Sequence, residues 1–167
     1  MVHSVRLLTL SLAVLLLLIG CGTQQAGSEQ VGSGGEKKAL DFTLTDIKGS
    51  SMTLSSILNK KAALLDFTTT WCPHCVTIIP HVKNIYSEYN DKGLEVLAIY
   101  VNEPKNKVAA FAKKHNIPYK VLLDSDGSVA SRYAVRGVPT IVVVAKDGTI
   151  LYQGHNIPDD IVKGAVQ

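Results

Sequence analysis

The chain predicts an α/β domain with a central mixed β-sheet flanked by helices, and three features of its apolar pattern carry that prediction. Two apolar runs of strand length, Ala62–Thr68 (AALLDFT) and Leu94–Val101 (LEVLAIYV), alternate with stretches of helical spacing at 73–89 and 104–115. Such alternation sets strands side by side in parallel, with the helices as crossovers. Further on, the apolar run 141–145 and its return at 149–153 flank Asp147-Gly148, a hairpin signal, so an antiparallel pair joins the sheet. A short closing helix over 158–166 follows, with Asp159 and Asp160 suited to the positive end of its dipole.

Taken in order, the chain begins with a short segment carrying one cation, Arg6, and then an apolar run over 7–19. That run is short for a membrane span and fits the core of a signal peptide. Residues 22–38 are polar, rich in Gly and Ser and without periodicity, which reads as a tether with a reach of roughly 20–25 Å. Folded structure is expected from residue 39 to residue 167. Leu40, Phe42 and Leu44 alternate with polar residues as in an edge strand, 47–51 is turn-like, and 54–58 suits a short helix with Ser55 as its cap. In the helix over 73–89, Val76, Ile79, Val82 and Tyr86 form a core stripe, widened by Ile78 and Ile85. Pro80 within it is expected to kink the helix. A strand at 119–123, a turn at 124–127 and a helical turn at 128–133 complete the middle of the chain.

The chemistry centres on Trp71-Cys72-Pro73-His74-Cys75, at the junction of the first buried strand and the helix after it. Cys72 falls just outside the helix and Cys75 in its first turn. Orphan N–H groups and the helix dipole favour a thiolate at Cys72. Pro73 suits the first helical position, where its missing N–H costs nothing. His74, when protonated, sets a positive charge between the sulfurs and lowers the Cys72 pKa further. A thiolate attacks disulfides, so the motif reads as a redox centre. Asp66 is the anomaly in the apolar strand: either it points to a solvated edge, or it is a buried proton acceptor serving Cys75.

Charge and cysteine usage narrow the alternatives. A net charge of +3 with no basic block gives nucleic-acid binding no support. Zinc wants four ligands, commonly two cysteine pairs, and the remaining cysteine, Cys21, lies far from the motif. A copper or zinc carrier would have to use Cys72, Cys75 and a histidine; His74 lies between the thiols, but His81, His115 and His155 read better as isolated surface or capping residues. A thiol peroxidase is the other alternative. Thr69 stands three residues before Cys72, as in peroxiredoxins, but Leu65 occupies the place of their upstream proline. Neither a metal nor a cofactor is expected.

Two resemblances add to this reading. Leu18-Ile19-Gly20-Cys21 resembles a bacterial lipobox, which implies removal of residues 1–20, lipidation of Cys21 and an extracytoplasmic, membrane-tethered domain. WCPHC after an apolar strand, with Gly137-Val138-Pro139-Thr140 ahead of a hairpin, resembles the thioredoxin superfamily. The leading DFTLTDIKGSSMTLSSI and the region 104–134 are similar to its membrane-tethered TlpA/ResA branch. The resemblance implies a thioredoxin-like fold with Cys72 as attacking and Cys75 as resolving sulfur. It makes Pro139 a cis-proline facing them, Val138 the backbone site for an extended substrate segment, Trp71 a flanking platform and Asp66 the buried carboxylate. It implies a monomeric thiol–disulfide oxidoreductase acting on protein thiols and disulfides with a membrane redox partner, in cytochrome c maturation or in disulfide reduction or formation. Three departures stand out. Ile78 replaces a glutamate often found in the branch, Leu94–Val101 lacks the lysine thioredoxins pair with their buried acid, and the Pro-His dipeptide resembles the oxidising DsbA type. The sequence leaves the direction of electron flow open.

Overall fold

The structure, a computed structural model, describes residues 36–167, so the expected signal segment, Cys21 and most of the expected tether lie outside it. Its strands are β1 (Thr43–Asp46), β2 (Ser51–Thr53), β3 (Ala62–Thr68), β4 (Leu94–Val101), β5 (Lys120–Asp124), β6 (Thr140–Val144) and β7 (Ile150–Gly154). Its helices are α1 (Leu54–Leu58), α2 (Pro73–Tyr89), α3 (Lys105–Lys114), α4 (Ser128–Arg132) and α5 (Asp159–Gly164), with a 3-10 turn at Asn90–Lys92. The seven strands form one sheet in the order β2-β1-β5-β4-β3-β6-β7. β3, β4 and β5 are parallel, whereas β1 and β6 join them antiparallel.

β3 and β4 read as continuous apolar runs because both of their faces are covered. Ala62, Leu64, Val96 and Ala98 face Val82 and Ile85 of α2, Val108 of α3 and Val162 of α5. Ala63, Leu65, Phe67, Leu97 and Ile99 face the other way, toward Leu54 of α1 and Val129 and Ala130 of α4. Truncating a side chain such as Leu64 to Ala at such a position costs about 2–5 kcal/mol.

Three local expectations change. β1 is not an edge strand: it lies between β2 and β5, so its alternation reflects one polar face within the sheet. Ser55 does not cap α1, whose N-cap residue is Thr53. Instead, the Ser55 N–H and hydroxyl both donate to the Asp41 carboxylate, at 2.9 and 2.8 Å. α2 runs through Pro80, which lies on its exposed side rather than in the core stripe of Cys75, Ile79, Val82 and Ile85. The leading segment joins β7: Ala39 N–H donates to the Gly148 carbonyl and Ile150 N–H to that of Lys37. Lys38 adds an ion pair to Asp147 at 3.0 Å.

Candidate active site

β3 enters the centre of the sheet, and its carboxyl end delivers Thr69, Thr70 and Trp71 to the start of α2. Cys72 is the N-cap residue, in extended conformation, with Pro73 opening the helix. Its sulfur accepts a hydrogen bond from the Cys75 N–H at 3.1 Å, one of the donors a helix start leaves unsatisfied. In the reduced protein the same N–H would stabilise a thiolate. Cys72 and Cys75 form a disulfide, with Cα atoms 5.3 Å apart. Both sulfur-bearing residues are buried, Trp71 beside them is 67% exposed, and His74 is exposed.

β6 brings the second half of the site. Because β6 runs antiparallel to β3, its beginning lies beside the end of β3, with Phe67 opposite Thr140. The Val138–Pro139 bond just before it is cis, and the Val138 carbonyl oxygen lies 3.6 Å from Cys72 Sγ. The loop is fastened on both sides. Thr140 Oγ1 donates to the Gly137 carbonyl at 2.7 Å, and His155 Nδ1 lies 2.7 Å from the Pro139 carbonyl oxygen.

Asp66 is not at a solvated edge. It sits mid-strand in β3, 4% exposed, in phase with Ala62 and Leu64 and so on the face that packs against α2. Burial pushes its carboxyl pKa up to about 7, and Oδ1 has no hydrogen-bond partner. Burial also raises the pKa of Tyr100, and the charge of Asp66 raises it further.

Glu103, which the sequence reading passed over, is another buried carboxylate at this end of the sheet, as is Asp124 at the end of β5. Thr70 N–H and Thr70 Oγ1 both donate to Glu103 at 2.6 Å, and Lys107 pairs with it at 2.7 Å. Burial raises its pKa, but the bonds from Lys107 and Thr70 outweigh that and leave it below the ordinary value. Glu103 thereby ties the loop before Cys72 to the start of α3. Its signal was an acid directly after a buried parallel strand, where sites collect in α/β sheets.

The histidines scatter. His81 pairs with Asp159 at 2.7 Å, and His115 lies against Phe111 with ring centroids 4.2 Å apart. Among the described residues, no group of three or more His, Cys, Asp or Glu side chains is arranged to hold a metal ion.

Comparison with known proteins agrees with this geometry. Residues 36–153 match the AhpC/TSA family. The thiol-disulfide oxidoreductase ResA of Halalkalibacterium halodurans is 31% identical over 115 residues, which span 69% of this chain and 65% of that protein. ResA of Bacillus cereus is 30% identical over 146 residues, covering 83% of each chain. A crystal structure described as a putative thiol:disulfide interchange protein DsbE from Chlorobium tepidum superposes with a TM-score of 0.73. It is 24% identical, covers 79% of this chain and 97% of its own, and shows the shared thioredoxin-like fold. With a Cys-x-x-Cys disulfide at a helix start and a cis-proline loop against it, this chain belongs to the AhpC/TSA family, among its ResA-like thiol-disulfide oxidoreductases.

Proposed function

We propose that this thiol–disulfide oxidoreductase works outside the cytoplasm, held to a membrane by a lipid on Cys21, and exchanges disulfides with extended protein segments docked beside Val138–Pro139. The observation that carries the reading is the placement of Cys72 Sγ, which takes the Cys75 N–H on one side and faces the Val138 carbonyl on the other. The Cys72 thiolate attacks one sulfur of a substrate disulfide, forming a mixed disulfide and releasing the other substrate sulfur as a thiolate. Cys75, once deprotonated, attacks Cys72 Sγ. The Cys72–Cys75 bond forms, the mixed bond breaks, and the substrate leaves reduced by two electrons. Oxidation of a substrate dithiol runs the same steps backwards.

Asp66 is proposed as the acceptor for the Cys75 proton. It is buried on the α2 face with one oxygen unpaired, and its raised pKa leaves it able to gain and lose a proton near neutrality. Trp71 offers an exposed apolar platform beside the disulfide, and main-chain pairing at Val138 tolerates many sequences. The substrates proposed are protein cysteines, including those of apocytochrome c during cytochrome c maturation, with a membrane protein as redox partner. Equilibration with glutathione buffers tests the direction: a potential near that of DsbA identifies an oxidant, one near that of thioredoxin a reductant. A protein that takes up no disulfide from any of these buffers sinks the reading.

One observation favours a second activity, thiol peroxidase. Thr69 Oγ1, three residues before Cys72, is buried without a partner. Peroxide consumption with a thiol donor checks it, and Thr69→Val should abolish that consumption while leaving disulfide exchange intact.

A further inference from the structure

The last three carbonyls before β6 have three different fates. That of Gly137 accepts from Thr140 Oγ1, and that of Pro139 is bound by His155. The Val138 carbonyl faces Cys72 Sγ, which carries no proton in the disulfide. Of these three, the Val138 carbonyl alone has no donor in the disulfide form and stands open to an incoming segment, and the two flanking ones are held.

The hold at Pro139 acts on a particular degree of freedom. Going from the Val138 carbonyl into β6, the peptide bond is planar and the proline ring fixes φ. The soft dihedral left is ψ of Pro139, and turning it swings the carbonyl oxygen that His155 binds. A carbonyl can only accept, so His155 carries its proton on Nδ1, and that N–H opposes the rotation in the neutral or the charged ring alike. β7 places the imidazole, because Gly154 pairs with Ile141 and the next residue comes up beside the loop. His155 is exposed, so its packing contributes little to the core.

We propose that His155 is a positioning residue for substrate: through the Pro139 carbonyl it orients the Val138 peptide groups that pair with an extended disulfide-bearing segment. This rests on the reading that exchange occurs beside Val138–Pro139. His155 touches neither sulfur in the structure, so its effect falls on binding of peptides and not on the reactivity of Cys72.

The test compares His155→Ala, His155→Asn and His155→Gln on two probes. One is a short extended peptide closed by its own disulfide. The other is the aromatic disulfide 5,5′-dithiobis(2-nitrobenzoate), which has no backbone to pair. An Asn amide N–H can reach the Nδ1 position, and a Gln amide falls nearer Nε2. Loss of one hydrogen bond should raise the KM of His155→Ala for the peptide by about five- to tenfold, with kcat held within about twofold. The aromatic probe and the reduction potential should stay unchanged, and Asn, but not Gln, should restore the peptide KM. An unchanged peptide KM in His155→Ala overturns the assignment while leaving the exchange reading standing. Equal loss on both probes in all three variants, as a merely structural role would give, also overturns it. Failure of the parent protein to reduce the peptide overturns the exchange reading and this assignment with it.

Discussion

Replacing Asp66 by Asn keeps the side chain's shape and removes its proton-binding site from the middle of the sheet. Burial holds the folded-state pKa at about 7, against an ordinary carboxylate value of 3.8. The folded protein therefore binds more protons than the unfolded chain between those two values, and stability falls as pH rises through that window. At 1.36 kcal/mol per pH unit the full effect is about 4 kcal/mol, absent below the lower value and complete above the upper one. The asparagine carries a constant cost of about 1–3 kcal/mol for a buried polar group without a partner, and that cost does not vary with pH. Urea unfolding of the disulfide-bonded protein between about pH 4 and pH 8 separates the two, because neither Cys72 nor Cys75 titrates in that form. The parent should lose stability toward neutral pH, and the variant's curve should be flatter by up to about 4 kcal/mol across the range. Identical pH slopes in parent and variant would refute the reasoning, because Asp66 would then titrate as an ordinary carboxyl.

Other substitutions probe the rest of the site. Cys75→Ser should trap substrate on Cys72 as a stable mixed disulfide, visible as a reducible adduct on a gel; normal turnover would contradict the two-sulfur scheme. Glu103→Ala strands the Thr70 N–H and hydroxyl and leaves Lys107 without its carboxylate, so urea unfolding should show a loss of about 2–4 kcal/mol. An effect under about 0.5 kcal/mol would show that the loop before Cys72 does not need the clamp. His74→Pro should raise the Cys72 pKa, followed by alkylation rate against pH, and lower the reduction potential; an unchanged potential would show that His74 does not tune it. Tyr133→Phe deletes the hydroxyl that donates to the Leu40 carbonyl at 2.7 Å and should cost about 1 kcal/mol of stability.

Where one sequence determines its own neighbours, it was legible. The bounds of β3, α2 and β4 follow from uninterrupted apolar runs and from helical spacing bracketed by Cys72-Pro73 and the residues after Tyr89. What escaped depends on which strand lies beside which. The alternation around Phe42 and Leu44 announces a half-buried strand but not its place inside the sheet, which β5 decides from far along the chain. Asp66 was ambiguous because burial follows from the strands on either side, β4 and β6. Glu103 meets Thr70 across thirty-three positions, through a crossover that brings two strand ends together, and nothing local to either marks the pair. His155 read as an isolated surface histidine because the hairpin register, not its own surroundings in sequence, carries it to Pro139.

The pairing of Lys37 and Ala39 with Ile150 and Gly148 puts the chain's entry at the Asp147–Gly148 turn, at one end of β6. The sulfur pair sits beyond the other end, roughly 15–20 Å away along the strand. A fluorophore on exposed Lys146, or a resin gripping that turn, therefore stands clear of the reactive mouth. Immobilised this way, the domain offers its working face to solution, and partner binding can be recorded without the attachment competing for the same ground.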